Sequence, residues 1–207
     1  MGDHREPADE VRAWLVSMRG GSPFLSPADG FRLIQWLDQG VPVSAIALAI
    51  ERASAARRAR RARWPLGLGD ASRYLKLPKV PASPVRPRRT ASAVSDAIRT
   101  VDPDDPAIEG LAVRLSDLAG TAEEITRLAL RAFSAFFEEK WVGLDATERS
   151  ALLDAARAGY GEWLEGLAEG AQLALVEEAA RDLLRSRYPA LTAELVWNAM
   201  HPPEPPV

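Results

Sequence analysis

Arg57, Arg58, Arg60, Arg61, Arg63, Arg73 and Lys76 fall within twenty consecutive positions whose only acid is Asp70. Side chains of this type at this density do one kind of chemistry: they hold anions, phosphates above all, by charge and hydrogen bonding rather than by reaction. The wider stretch Arg52 to Arg89 carries twelve of the 26 basic residues and a local charge of +11, although the 207-residue chain as a whole stands at −3. Residues 101–207 hold 20 acids against 9 bases, so a basic centre is followed by an acidic C-terminal half. The seven residues named first are therefore the candidate contacts to DNA or RNA, and an acidic protein surface would answer to the same charge. Trp64, beside the arginines, could stack on a base. The structural alternative is that arginines in a last turn complement the helix dipole and keep an alanine-rich helix in solution.

Other chemistries lack their residues. With no cysteine there is neither a disulfide, nor a thiolate nucleophile, nor a cysteine-ligated zinc. His4 and His201 stand at opposite ends of the chain, so a histidine dyad or cluster would need both ends to meet. The pairs Glu123-Glu124, Glu138-Glu139 and Glu177-Glu178 point about 100° apart on a helix, and no Glu-x-x-His spacing accompanies them. Gly67-x-Gly69 lacks the third glycine of a dinucleotide loop and the lysine of a phosphate loop. No catalytic residue, metal or cofactor is expected, and the chain reads as a non-enzyme. Met1 to Glu10 is acidic and polar, unlike a secretory signal, and the nearly apolar run Val41 to Ile50 is about half of a bilayer span. A cytoplasmic protein without a membrane segment is the expectation.

The elements that must carry these residues read as helices. Alanine, leucine, arginine and glutamate dominate while β-branched residues are sparse, and 47% hydrophobic content supports a real core. Val11, Trp14, Leu15 and Met18 mark a first helix ending at Gly20-Gly21. Ser26-Pro27 opens a second, to Gln39, with Phe31, Leu33, Ile34, Trp36 and Leu37 as its core set. A third starts at Val41-Pro42 and continues to about Arg61. On it Ile46, Ile50, Ala53, Arg57 and then Arg60 or Arg61 share one face. Guanidinium groups are rarely buried unpaired, so the core should end near Ala53, and the last two turns must project beyond it or lie against something anionic. Asp70 to Lys76 gives one or two helical turns.

Pro78, Pro81, Pro84 and Pro87 then recur every third residue, predicting an extended, Pro/Arg-rich linker. Beyond it, Asp105-Pro106, Thr121 with Glu124, and Asp145 with Glu148 are three helix starts. Leu130, Phe133, Phe137 and Trp141 form one apolar stripe; Leu152, Ala156, Tyr160, Trp163 and Leu167 form the next. Gly170 should separate this last helix from one over Leu173 to Arg187, and a short helix follows near Thr192 to Met200. Trp36, Trp141 and Trp163 are assigned to the core.

The stretch Leu25-Ser26-Pro27-x-Asp29, with Trp36, Gly40-x-Pro42, Ile46, Ile50 and Ser72-x-Tyr74, resembles the N-terminal module of an uncharacterised group of bacterial helical proteins. More loosely it resembles the DnaD-like helical domain of primosome proteins, over about residues 25–75. The resemblance implies a tryptophan-bearing helix, a Gly turn, a second amphipathic helix and a short Tyr-containing helix whose region contributes to DNA binding. An arginine-rich insertion and Pro78, which cuts the last helix short, are departures from that pattern.

The resulting expectation is an all-α chain. It comprises a helical module with a basic patch over 7–77, a linker over 78–104, an acidic antiparallel bundle over 105–200 and a Pro-rich tail over 201–207. Its expected role is that of a nucleic-acid-associated accessory protein. The alternative is a protein–protein adaptor whose basic segment docks an acidic partner. The charge map also predicts contact between the basic centre and the acidic half of the same chain.

Overall fold

A computed structural model describes residues 4–60, 62–75, 92–101 and 105–201. Among these the chain is all-α, without strands. The helices are α1 (Arg5–Arg19), α2 (Pro27–Asp38), α3 (Val43–Arg60), α4 (Leu68–Ala71), α5 (Ser92–Val101), α6 (Pro106–Ser116), α7 (Ala122–Gly143), α8 (Ala146–Tyr160), α9 (Glu169–Arg185) and α10 (Ala193–Met200). Short 3₁₀ turns follow α4 at Ser72–Tyr74 and α8 at Gly161–Leu164.

The helix starts follow from capping chemistry. Ser26 Oγ accepts the Asp29 N–H ahead of Pro27, Asp105 accepts the N–H groups of Ala107 and Ile108, and Thr192 accepts that of Leu195. Thr121 with Glu124 and Asp145 with Glu148 close complete capping boxes on α7 and α8. Each satisfies backbone donors that would otherwise lack partners. Gly20, at φ 68°, ends α1, and a Cβ there would overlap Glu177.

The core is organised around α3. Every residue from Val43 to Ile50 is buried, together with Ala53, Ser54 and Arg57, as a helix surrounded by others must be. It packs against α1, α4, α7 and α10. Val11, Trp14, Leu15 and Met18 of α1 are buried at the spacing their sequence shows. Each large side chain so buried contributes roughly 1.5–3 kcal/mol. Glu123 of α7 accepts from Ser44 N and Oγ at 3.3 and 2.6 Å, fastening the start of α3.

The packing corrects four readings of the sequence. On α2 the inner stripe is Asp29, Leu33, Trp36 and Leu37. Phe31 lies on the opposite side, 75% exposed, and Ile34 at the stripe's edge is 40% exposed. Residues 92–101, assigned to the linker, form α5, which buries Val94, Ser95 and Ile98 against α6 and α10. Gly170 lies inside α9 rather than before it, and Gly166, at φ 77°, takes the turn.

The fourth correction concerns the division at the linker, whose residues 76–91 lie outside the described part. One buried cluster runs from Val11, Trp14 and Ile46 through Ile108, Phe133 and Phe137 to Val196, so the regions 7–77 and 105–200 share a core. A second cluster joins Trp141 at the end of α7 to Leu152, Leu164, Leu175 and Leu184 of α8, its 3₁₀ turn and α9. The boundary between the two clusters falls within α7, because that helix is long enough to serve both.

Candidate nucleic-acid interface

The site is built where α3 runs out of apolar neighbours. Ile46, Ile50 and Ala53 are buried, and the next residue on that face, Arg57, stays buried at 3% exposure. Its guanidinium meets two carboxylates: Nη1 donates to Asp70 Oδ2 at 3.0 Å, and Nε lies 3.6 Å from Glu178 Oε1. Nη2 donates to the backbone carbonyl of Trp64. The core therefore continues one turn past Ala53. Arg57 is a structural group, almost fully buried and already held by two acids and a carbonyl of the same chain, and this corrects its assignment as a phosphate contact.

Asp70 also accepts the Gly67 N–H at 3.2 Å, and Glu178 accepts the Leu66 N–H at 2.8 Å. Burial pushes the Glu178 carboxyl above its ordinary value, with Arg57 and the Leu66 N–H acting in the opposite direction. Together these bonds tie the loop over residues 62–67 to α9.

The remaining arginines divide. Arg58 is exposed and pairs with Asp182 of α9; burial lowers its pKa, while Glu51 and Glu178 oppose the shift. Arg60 is exposed and donates from Nε to its own helix at Ala56 O, 3.2 Å away. Arg63 lies 5.4 Å over the Trp163 ring and Arg73 5.6 Å over Tyr74. Among the described residues Arg60, Arg63 and Arg73 have no carboxylate partner, whereas Arg57 and Arg58 do. Arg61 and Lys76 lie outside the described residues.

Arg60, Arg63 and Arg73 come together around one groove of about 310 Å³, which Ala62, Trp64, Trp163 and the Arg57–Asp70 pair also line. Sequence reasoning missed Trp163 by extending the α8 stripe through it. Gly161, at φ 53°, breaks the helix after Tyr160, and the following turn leaves Trp163 44% exposed. Trp36 and Trp141 are buried, as expected.

The basic centre does meet the acidic half of the chain, through Arg52–Glu194 as well as Arg57–Glu178 and Arg58–Asp182. Two arginines of that acidic half were not singled out from sequence. Arg181 bonds Glu138 at 2.5 Å and Glu177 at 3.0 Å, and its i, i+4 spacing from Glu177 is the signal that could have found it. Arg185 packs 3.9 Å over Phe137 and 4.7 Å over Trp14, and burial brings its pKa down to about 10.

His4 pairs with Asp38 and His201 stacks on Trp197, far from the groove in sequence. No helix among the described residues is long and apolar enough to cross a membrane. No family model, curated protein or solved structure matches this chain.

Proposed function

We propose that this protein is a non-enzymatic, cytoplasmic accessory protein that associates with nucleic acid through Arg60, Arg63 and Arg73. The observation that carries the reading is the contrast within one arginine cluster: two members are consumed by acids of the same chain, and three surround a groove without a carboxylate partner. Guanidinium groups presented this way suit phosphate oxygens, whose contact needs charge and donors but no further machinery. Arg61 and Lys76 add charge beside them in sequence. The resemblance of residues 25–75 to the DnaD-like domain points in the same direction.

The test is fluorescence anisotropy of labelled DNA and RNA across a salt series. Log affinity should fall linearly with log salt, with a slope on duplex DNA corresponding to roughly three to five phosphates. Replacing Arg60, Arg63 and Arg73 by Gln should flatten that slope with the helical circular dichroism unchanged. Absence of binding to any nucleic acid at about 50 mM salt, where phosphate contacts are strong, would overturn the reading in favour of an acidic protein partner.

A further inference from the structure

Two indoles reach the same groove from distant parts of the chain: Trp64, 62% exposed on the loop after α3, and Trp163, in the turn after α8. Rings of this size normally bury most of their surface, so two of them left open beside three cations ask for a flat partner. The loop carrying Trp64 is held from behind by the Arg57 bond to its carbonyl and by Leu66 N–H on Glu178. Its indole is presented by a fastened backbone, which lowers the ordering cost of anything that stacks on it. Arg63 over Trp163 already places a planar cation against one ring.

The groove's 310 Å³ is at the small end of ligand-enclosing cavities, the scale of one nucleotide and not of a double helix. In a duplex each base face is covered by its neighbours and only edges reach a protein. An aromatic surface inside a groove can meet a base only where that base is unstacked. Building on the nucleic-acid reading, we infer that the groove receives one unstacked nucleobase against Trp64 and Trp163, with the adjoining phosphates on Arg60 and Arg73. The ligand chemistry is that of a nucleoside phosphate, carried by a single strand or supplied as a free nucleotide.

The experiment compares a labelled 15-nucleotide DNA strand, an abasic strand of the same length and the corresponding duplex, with thymidine monophosphate as competitor. The normal strand should bind about 5- to 150-fold more tightly than the abasic one, the range for one stacked base. Trp64→Ala and Trp163→Ala should erase most of that difference and leave the salt slope intact; Trp64→Phe should retain it. Displacement of the strand by the mononucleotide would identify the free nucleotide as a sufficient ligand, and failure to displace would identify the strand; either result is compatible with the site. Equal affinity for normal and abasic strands, or Trp→Ala variants that still discriminate them, overturns base capture while leaving phosphate binding standing. No binding of any of the strands sinks both.

Discussion

Arg57 shows how one side chain can be placed by its partners and not by its neighbours in sequence. Asp70 and Glu178 desolvate together with it, so removing the cation leaves two enclosed carboxylates uncompensated. Arg57→Gln should cost about 3–5 kcal/mol, measured by urea unfolding, whereas Arg60→Gln should stay within about 0.5 kcal/mol. Adding Glu178→Gln to Arg57→Gln should recover part of the loss, since the two positions are coupled. Glu178 also gives the pH dependence a sign. Its native pKa is raised above 4.5, mainly by burial, so the folded state holds the proton more tightly than the unfolded chain. Stability should decline as pH rises from 4.5 through the raised native value, and Glu178→Gln should remove that share of the decline. Glu51, whose pKa burial also raises, keeps its own share in the same measurement.

At the scale of helices and turns, Gly161 decides where Trp163 points. Its φ of 53° suits glycine, so Gly161→Ala should cost about 1 kcal/mol. The same change should favour continuation of α8 and shield Trp163, seen as reduced acrylamide quenching and weaker discrimination between normal and abasic strands. The α8 stripe was readable up to Tyr160 and failed at Trp163, although Leu167 beyond it still packs on the same cluster, because periodicity carries no information about a left-handed residue at 161. Helix starts were legible wherever a cap and its partner sit three residues apart, as at Thr121 with Glu124 and Asp145 with Glu148. α5 was not, since its Ser/Ala-rich start follows a proline run and its burial depends on α6 and α10. Three of the groove's arginines could be named from charge density. That Arg57, on the same groove, is already paired depends on acids 13 and 121 positions away, beyond any local pattern.

The molecule as a whole does not divide where its composition changes. Because α1 packs on α7 and α9, and α10 packs on α3 and α5, the N- and C-terminal regions supply opposite sides of one core. Residues 1–89 and 90–207 co-expressed as two chains should co-purify, and each alone should lack a cooperative unfolding transition. The intact chain should unfold with coincident midpoints by circular dichroism and tryptophan fluorescence. Independent cooperative folding of either piece would show that the shared core is dispensable. Salt should separate the two kinds of charge in this structure. The exposed Arg58–Asp182 pair is open to screening and worth on the order of 0–1 kcal/mol, while the enclosed Arg57 contacts are screened far less.

The groove is assembled from residues that leave the ribosome at different times. Arg60 emerges first, and Trp163 and Glu178 follow on the order of ten seconds later at ordinary rates of synthesis. Until Trp163 and then Glu178 arrive, the nascent chain carries the end of α3 first without the second indole and then still without one of its two internal acids. A truncated product ending before α8 would carry the basic stretch of residues 52–89 without Glu178 and Asp182 to pair its arginines, leaving that stretch open to any polyanion including the ribosome's own RNA. Discrimination is thus acquired only on completion of translation through α9, so fragments of this protein should be poorer guides to its binding preferences than their charge suggests.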